Sequence, residues 1–290
     1  MSDVRGRMSD QQFTDFGGDG PTLHFANANG YPPAAYTPLF ESLTPRYHVV
    51  AMRSRPLQPD ADPARLRGWA DLVDELIDTL DRAGARGWIG VGHSLGAVLT
   101  LSAALRRPEL FRAVVAIEPV IFPAAKQRAY DLFRALGLAP LIHPLISQAR
   151  RRRQYFASAD EMYGRYRQAA VFSRLDDRAL HAYVDAAARP RTAGQGQGVE
   201  LVFTPEWETR IYATGPFSLW RQLGGLSLPL LVIRGADSDT FTPSAIAALR
   251  RALPNATIRE LPNTGHLVPL EQPGEVGQTI VNFLRSGQHR

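Results

Sequence analysis

The chain has 290 residues, 44% of them hydrophobic and 21% charged, enough to bury a full core as one large domain or one domain carrying an insertion. A formal net charge of +5, carried mostly by arginine, gives a sequence pI near 9.8; this is compatible with anionic partners but does not speak to fold. With no cysteine, a disulfide framework, a cysteine nucleophile and a thiolate metal site are excluded.

Residues 1–12 are polar and charged and lack the apolar run of a secretory signal, so a flexible N-terminus is expected. No uninterrupted apolar segment is long enough to span a bilayer, and a cytoplasmic protein without stable membrane insertion is the expectation. Thr22–Ala26 is a short apolar run that predicts a buried strand, followed by the loop Asn27-Ala28-Asn29-Gly30-Tyr31-Pro32-Pro33. A second strand is expected over 47–52. Beyond Asp62-Pro63, Trp69, Leu72, Val73, Leu76, Ile77 and Leu80 recur at three- and four-residue steps, with Asp71, Asp74, Glu75 and Asp78 on the other face. That spacing predicts an amphipathic helix, and Gly84 suits its C-terminal end.

The apolar run 87–91 predicts a strand, Gly92-His93-Ser94-Leu95-Gly96 a sharp turn, and 96–107 a helix halted near Pro108. Another strand, 113–117, ends at Glu118-Pro119. After residue 230 the alternation resumes, with strands at 230–234 and 257–261 and helices at 243–252 and 275–285. Strands that read as continuous apolar runs between helices indicate an α/β fold with a mostly parallel sheet covered on both faces. Between Val120 and about Tyr212 the rhythm breaks into helical patterns at 124–136, 160–172 and 177–188. One strand-like piece lies at 199–203, and a glycine-rich connection at 191–198. The expected organisation is a core of residues 13–119 and 213–290 with a mainly helical cap inserted over 120–212.

The turn after the third of these strands places Ser94 at its apex. A serine hydroxyl becomes a nucleophile only when it is exposed, faces a base and has donors nearby for an oxyanion. The G-x-S-x-G elbow supplies exposure, and the N–H of Leu95 at the helix start supplies one donor. His266, in Gly265-His266-Leu267 directly after the last apolar strand, is the expected base, since imidazole exchanges protons near neutral pH. The acid that orients it is expected from Asp237-Ser238-Asp239, with Asp239 preferred over Asp237 and Glu118 as a third candidate at the edge of the insert. The second oxyanion donor is expected at the N–H of Tyr31, where Gly30 allows close approach. His93 is read as a packing or hydrogen-bonding residue of the elbow rather than a second base.

Ser94 in Gly-His-Ser-Leu-Gly, an aspartate in Gly-Ala-Asp-Ser-Asp and His266 in Gly-His-Leu-Val-Pro-Leu-Glu-Gln-Pro together resemble the α/β-hydrolase superfamily, over almost the whole chain from Thr22 to Arg285. The resemblance implies an eight-stranded, mostly parallel sheet with a cap after its sixth strand. Two departures stand out: the region before Thr22 is short for two leading strands, and Asn29-Gly30 replaces the usual His-Gly at the oxyanion loop. The resemblance further implies a serine hydrolase with no metal or organic cofactor, acting on a small or medium carboxylic ester through an acyl-enzyme. C–C, amide or lactone cleavage by the same triad, or a low-turnover binding protein on the same scaffold, are the alternatives.

Trp207 and Tyr212, with Phe203, Phe217, Trp220, Tyr163 and Tyr166, are candidates to wall an apolar substrate pocket. Arg150-Arg151-Arg152-Arg153 is read as a solvated helix face, because no nucleic-acid-binding motif accompanies it. The expected partner is therefore a small ester-like molecule and not nucleic acid, while homo-oligomerisation stays open.

Overall fold

The computed structural model describes residues 12–136, 138, 143–191, 196–215 and 219–286, with backbone alone for 124–126. Its first half builds β1 (Phe13–Gly17), β2 (Thr22–Ala26), α1 (Thr37–Leu43), β3 (His48–Met52), α2 (Trp69–Arg82), β4 (Trp88–His93), α3 (Leu95–Arg106) and β5 (Phe111–Ile117). Side chains alternate across these strands: Val114 and Ala116 of β5 enter one apolar core, while Ala113, Val115 and Ile117 enter the other. A strand segment buried on both faces has no polar positions to offer, which is why 88–92 of β4 and 113–117 of β5 read as unbroken apolar runs. The amphipathic pattern at 69–80 becomes α2, whose Leu72, Val73, Leu76 and Leu80 lie in the first core beside α3. Gly90 lets α3 approach β4, since a Cβ there would stand 2.7 Å from the Thr100 Cγ2.

The segment after β5 contains α4 (Ala124–Ala135), α5 (Pro144–Arg150), β6 (Tyr155–Phe156), α6 (Ala159–Arg167), α7 (Asp177–Ala187), β7 (Ala188–Pro190), β8 (Val199–Leu201), α8 (Pro205–Thr214) and α9 (Trp220–Leu223). Its strands form a small antiparallel sheet in the order β6-β8-β7. Only β8 was expected, because strands of two or three residues are too short to establish a period. Part of the glycine-rich connection, residues 192–195, lies outside the described residues, as does most of the expected flexible N-terminus. The segment leans on the core: the Trp69 indole N–H at the start of α2 donates to the Ile211 carbonyl (2.8 Å), and the Tyr183 hydroxyl donates to the Gly30 carbonyl (3.4 Å).

The chain then closes with β9 (Leu230–Gly235), α10 (Pro243–Ala252), β10 (Thr257–Leu261), α11 (Val268–Glu271) and α12 (Pro273–Ser286). The main sheet has seven strands among the described residues, in the order β1-β3-β2-β4-β5-β9-β10. All neighbours run parallel except β1, which pairs antiparallel with β3. Eight strands were expected. Among the described residues β1 is the one strand before Thr22, and residues 1–11 lie outside them. Among the described residues no helix is long and apolar enough to cross a membrane.

Candidate active site

Ser94 stands between β4 and α3 at φ 55°, ψ −114°, a left-handed conformation that is strained for any residue with a Cβ. The strain persists because its surroundings leave no alternative. Its N–H donates to the Ile117 carbonyl (2.9 Å), and a Cβ on Gly92 would come within 2.3 Å of the Gly96 carbonyl oxygen. A Cβ on Gly96 would in turn lie 2.0 Å from the Ala26 carbonyl oxygen. Both glycines of the motif are therefore required by close backbone approach. The N–H of Leu95, first in α3, has no intrahelical acceptor.

His266, beyond the end of β10, reaches the elbow from a distant part of the chain. Its Nε2 is 3.0 Å from the Ser94 Oγ, and its Nδ1 is 3.1 Å from the Glu118 Oε2. The expected partner, Asp239, is not there. Its side chain is exposed and accepts a hydrogen bond from the Thr240 hydroxyl (3.3 Å), while Asp237 pairs with Arg174 (2.7 Å). The reason is topological. β5 and β9 are neighbours with Ile117 opposite Ile233, so the residue ending β5 occupies the space also reached from the turn after β9. Glu118 is fully buried at φ 49°; its Oε1 accepts from the Gly235 N–H (2.7 Å) and its Oε2 from the Ser238 hydroxyl (2.5 Å). Those two donors hold the carboxylate in place.

His93 joins the site from behind. Its Nε2 lies 2.9 Å from the His266 carbonyl, which can only accept, so Nε2 carries the proton and Nδ1 accepts from the Tyr36 hydroxyl (2.8 Å). Burial holds its pKa well below the usual imidazole range, which keeps this ring neutral and fixes the direction of both bonds. The Tyr36 oxygen also accepts from the Ala28 N–H (3.3 Å), tying the loop after β2 to the turn that carries His266. Tyr36→Phe strands both the Ala28 donor and the His93 acceptor in a buried setting. The expected cost is about 1–3 kcal/mol of stability, measured by urea unfolding; an unchanged midpoint would contradict this network.

The loop after β2 differs from expectation in its donor. The Tyr31 N–H turns back to the Ala28 carbonyl (3.2 Å) and is occupied. The Asn29 N–H makes no hydrogen bond within the described residues, and its side-chain Nδ2 donates to the Glu208 carbonyl (3.1 Å). Glu208 also pairs with Arg152 (2.6 Å), which donates further to the Tyr166 hydroxyl (3.2 Å) and to that of Tyr183. Arg150, Arg151 and Arg153 are exposed, as a solvated face requires. Arg152 is not: it lies beneath the loop, 3.1 Å from where a Gly30 Cβ would be. Sequence reasoning missed it because a run of four arginines conceals which one turns inward. Arg152→Ala leaves the Glu208 carboxylate largely buried without its cation, with an expected loss of about 3 kcal/mol in thermal or chemical unfolding. A loss below about 0.5 kcal/mol would return it to the solvated class.

Ser94, Leu95, Asn29, Tyr31 and His266 open onto one cavity of about 680 Å³, whose far wall includes Tyr130, Phe133 and Tyr212. Of the expected pocket aromatics, Tyr212 lines it. Trp207 does not: it is buried in the apolar core, where α8 packs beside α2. Phe203 is likewise core; Tyr163 stacks on His181, Tyr166 packs against Phe172 and Tyr183, and the Trp220 indole N–H donates to the Phe122 carbonyl. Phe217 lies outside the described residues. Among the described residues no cluster of three or more His, Asp or Glu side chains could hold a metal ion.

Comparison with known proteins places this arrangement among relatives. A family model described as "Alpha/beta hydrolase family" matches residues 23–279. The 2-(acetamidomethylene)succinate hydrolase of Mesorhizobium japonicum is 26% identical over 276 residues, covering 92% of this chain and 89% of that protein. The (E)-2-((N-methylformamido)methylene)succinate hydrolase of Acinetobacter baylyi is 23% identical over 279 residues, covering 93% of this chain and 92% of that one. The crystal structure of an E-2-(acetamidomethylene)succinate hydrolase superposes with a TM-score of 0.77 at 21% identity, over 94% of each chain, a likeness of fold.

Proposed function

We propose a serine mechanism for this chain, which belongs to the alpha/beta hydrolase family and is a hydrolase: Ser94 attacks a carboxylic ester and an acyl-enzyme is then cleaved by water. The observation that carries the proposal is the continuous chain of contacts from Ser94 Oγ to His266 Nε2 and from His266 Nδ1 to Glu118. In it His266 takes the serine proton and returns it to the departing alcohol. Glu118 holds the imidazole with its N–H on Nδ1 and stabilises the ring while it is charged. The N–H groups of Leu95 and Asn29 receive the oxyanion, each worth on the order of 3 kcal/mol in the transition state. The segment 120–212 serves as a cap over the core formed by 13–119 and 213–290, and supplies the far wall of the cavity.

Amide cleavage is the second reading. Both relatives described above are named for amide-bearing succinates. Asn29 lines the cavity, and its buried Oδ1, without a hydrogen-bond partner among the described residues, is the acceptor this reading assigns to an amide N–H. A p-nitrophenyl ester and a p-nitroanilide of the same acid separate the two. The ester reading expects the ester to have the larger kcat/KM by at least about 100-fold, and the reverse order selects amide cleavage.

A further inference from the structure

We infer that the substrate is an ester of a medium- to long-chain fatty acid whose acyl chain runs from Ser94 through the cavity and leaves at an apolar mouth on the inserted segment. The inference rests on the acyl-transfer reading above and names the substrate class for the same site. Three observations carry it. First, the cavity holds about 680 Å³, a volume that takes a drug-sized ligand; an acetyl or propionyl group would leave most of it unfilled.

Second, most of the residues that line it are apolar or aromatic. Asp239, Thr240 and His266 come from the loops after β9 and β10, on the side where the imidazole must protonate the leaving alcohol. Val120 and Phe122 after β5, and Phe133, Pro144 and Leu145 from α4 and α5, supply apolar lining, with His143 beside them. The alcohol is protonated at His266, and the acyl part lies against the apolar lining.

Third, the apolar wall continues to the surface. Phe133, Leu145 and Val171 line the cavity and are also 38%, 40% and 57% exposed, while Leu132 and Leu136, near Phe133 at the end of α4, are 60% and 62% exposed. Large apolar side chains grouped in water are uncommon on a soluble protein unless something covers them. A chain emerging from the cavity is the occupant continuous with both surfaces.

The test is a series of p-nitrophenyl alkanoates from acetate to dodecanoate, each below its micelle concentration. Burying a methylene is worth about 0.8 kcal/mol, about fourfold in kcat/KM, so the rise from butyrate to decanoate is expected to exceed thirtyfold even with partial burial. Val171→Asp and Phe133→Asp, which place a charge in the mouth at exposed positions, are each expected to lower the decanoate-to-acetate ratio of kcat/KM at least tenfold. An acetate optimum, a flat series, or a ratio unmoved by both variants overturns the inference while leaving ester hydrolysis at Ser94 intact. Failure to cleave any ester of the series overturns the acyl-transfer reading along with it.

Discussion

Ser94→Ala is expected to reduce ester turnover by roughly 10⁴- to 10⁶-fold, the residual rate coming from the oxyanion donors and from binding alone. The change removes one oxygen and keeps the Cβ, so the strained backbone at φ 55° and the contacts of Gly92 and Gly96 are untouched. Folding is therefore expected to stay near wild-type, and the loss belongs to chemistry. Initial rates with a chromogenic ester, set beside an unfolding curve of the same preparation, measure both. A variant retaining a tenth of the activity would mean that another group attacks the substrate.

Glu118→Gln is expected to lower kcat by roughly 10³- to 10⁴-fold while Asp239→Asn leaves it close to wild-type. Glutamine fills the same buried space and its one carbonyl oxygen can still accept from the Gly235 N–H, but its NH₂ then replaces the oxygen that faces the Ser238 hydroxyl and His266 Nδ1. What it cannot do is stabilise a positively charged imidazole, and its NH₂, if turned toward Nδ1, opposes another donor. Asp239 lies at the exposed edge of the cavity and makes no hydrogen bond to His266. Steady-state kinetics on the two variants decide the matter, since equal effects or the reverse order would return the acid to the turn after β9.

The elements that sequence exposed most clearly were those whose burial is periodic or complete. Alternate residues of β4 and β5 enter opposite cores, and α2 buries one stripe, so each leaves a pattern in the residue types. Ser94 and His266 were legible because local constraints surround them: two glycines forced by backbone contact, and a turn following the last strand. Glu118 was weighed but ranked below Asp239, because its proximity to His266 depends on β5 lying beside β9, and that adjacency leaves no mark on either segment. The loop after β2 departed from expectation for a similar reason, since only folding reveals that the Tyr31 N–H is spent on Ala28. Arg152 and Trp207 illustrate the converse: composition suggested a solvated face and a pocket wall, and packing buries one under a loop and the other in the core. The helix α8 left a signal that went unread: Thr204 followed by Pro205, with the Thr204 hydroxyl accepting from the Trp207 N–H, is a helix start.

Reaction with a fluorophosphonate, followed by peptide mass mapping, tests the central claim most directly, because the reagent forms a stable adduct with a serine hydroxyl activated by a neighbouring imidazole. The account predicts a single adduct, on Ser94, whose accumulation matches the loss of turnover, and its absence in His266→Ala. An adduct on another residue, or full turnover by protein modified at Ser94, would contradict it.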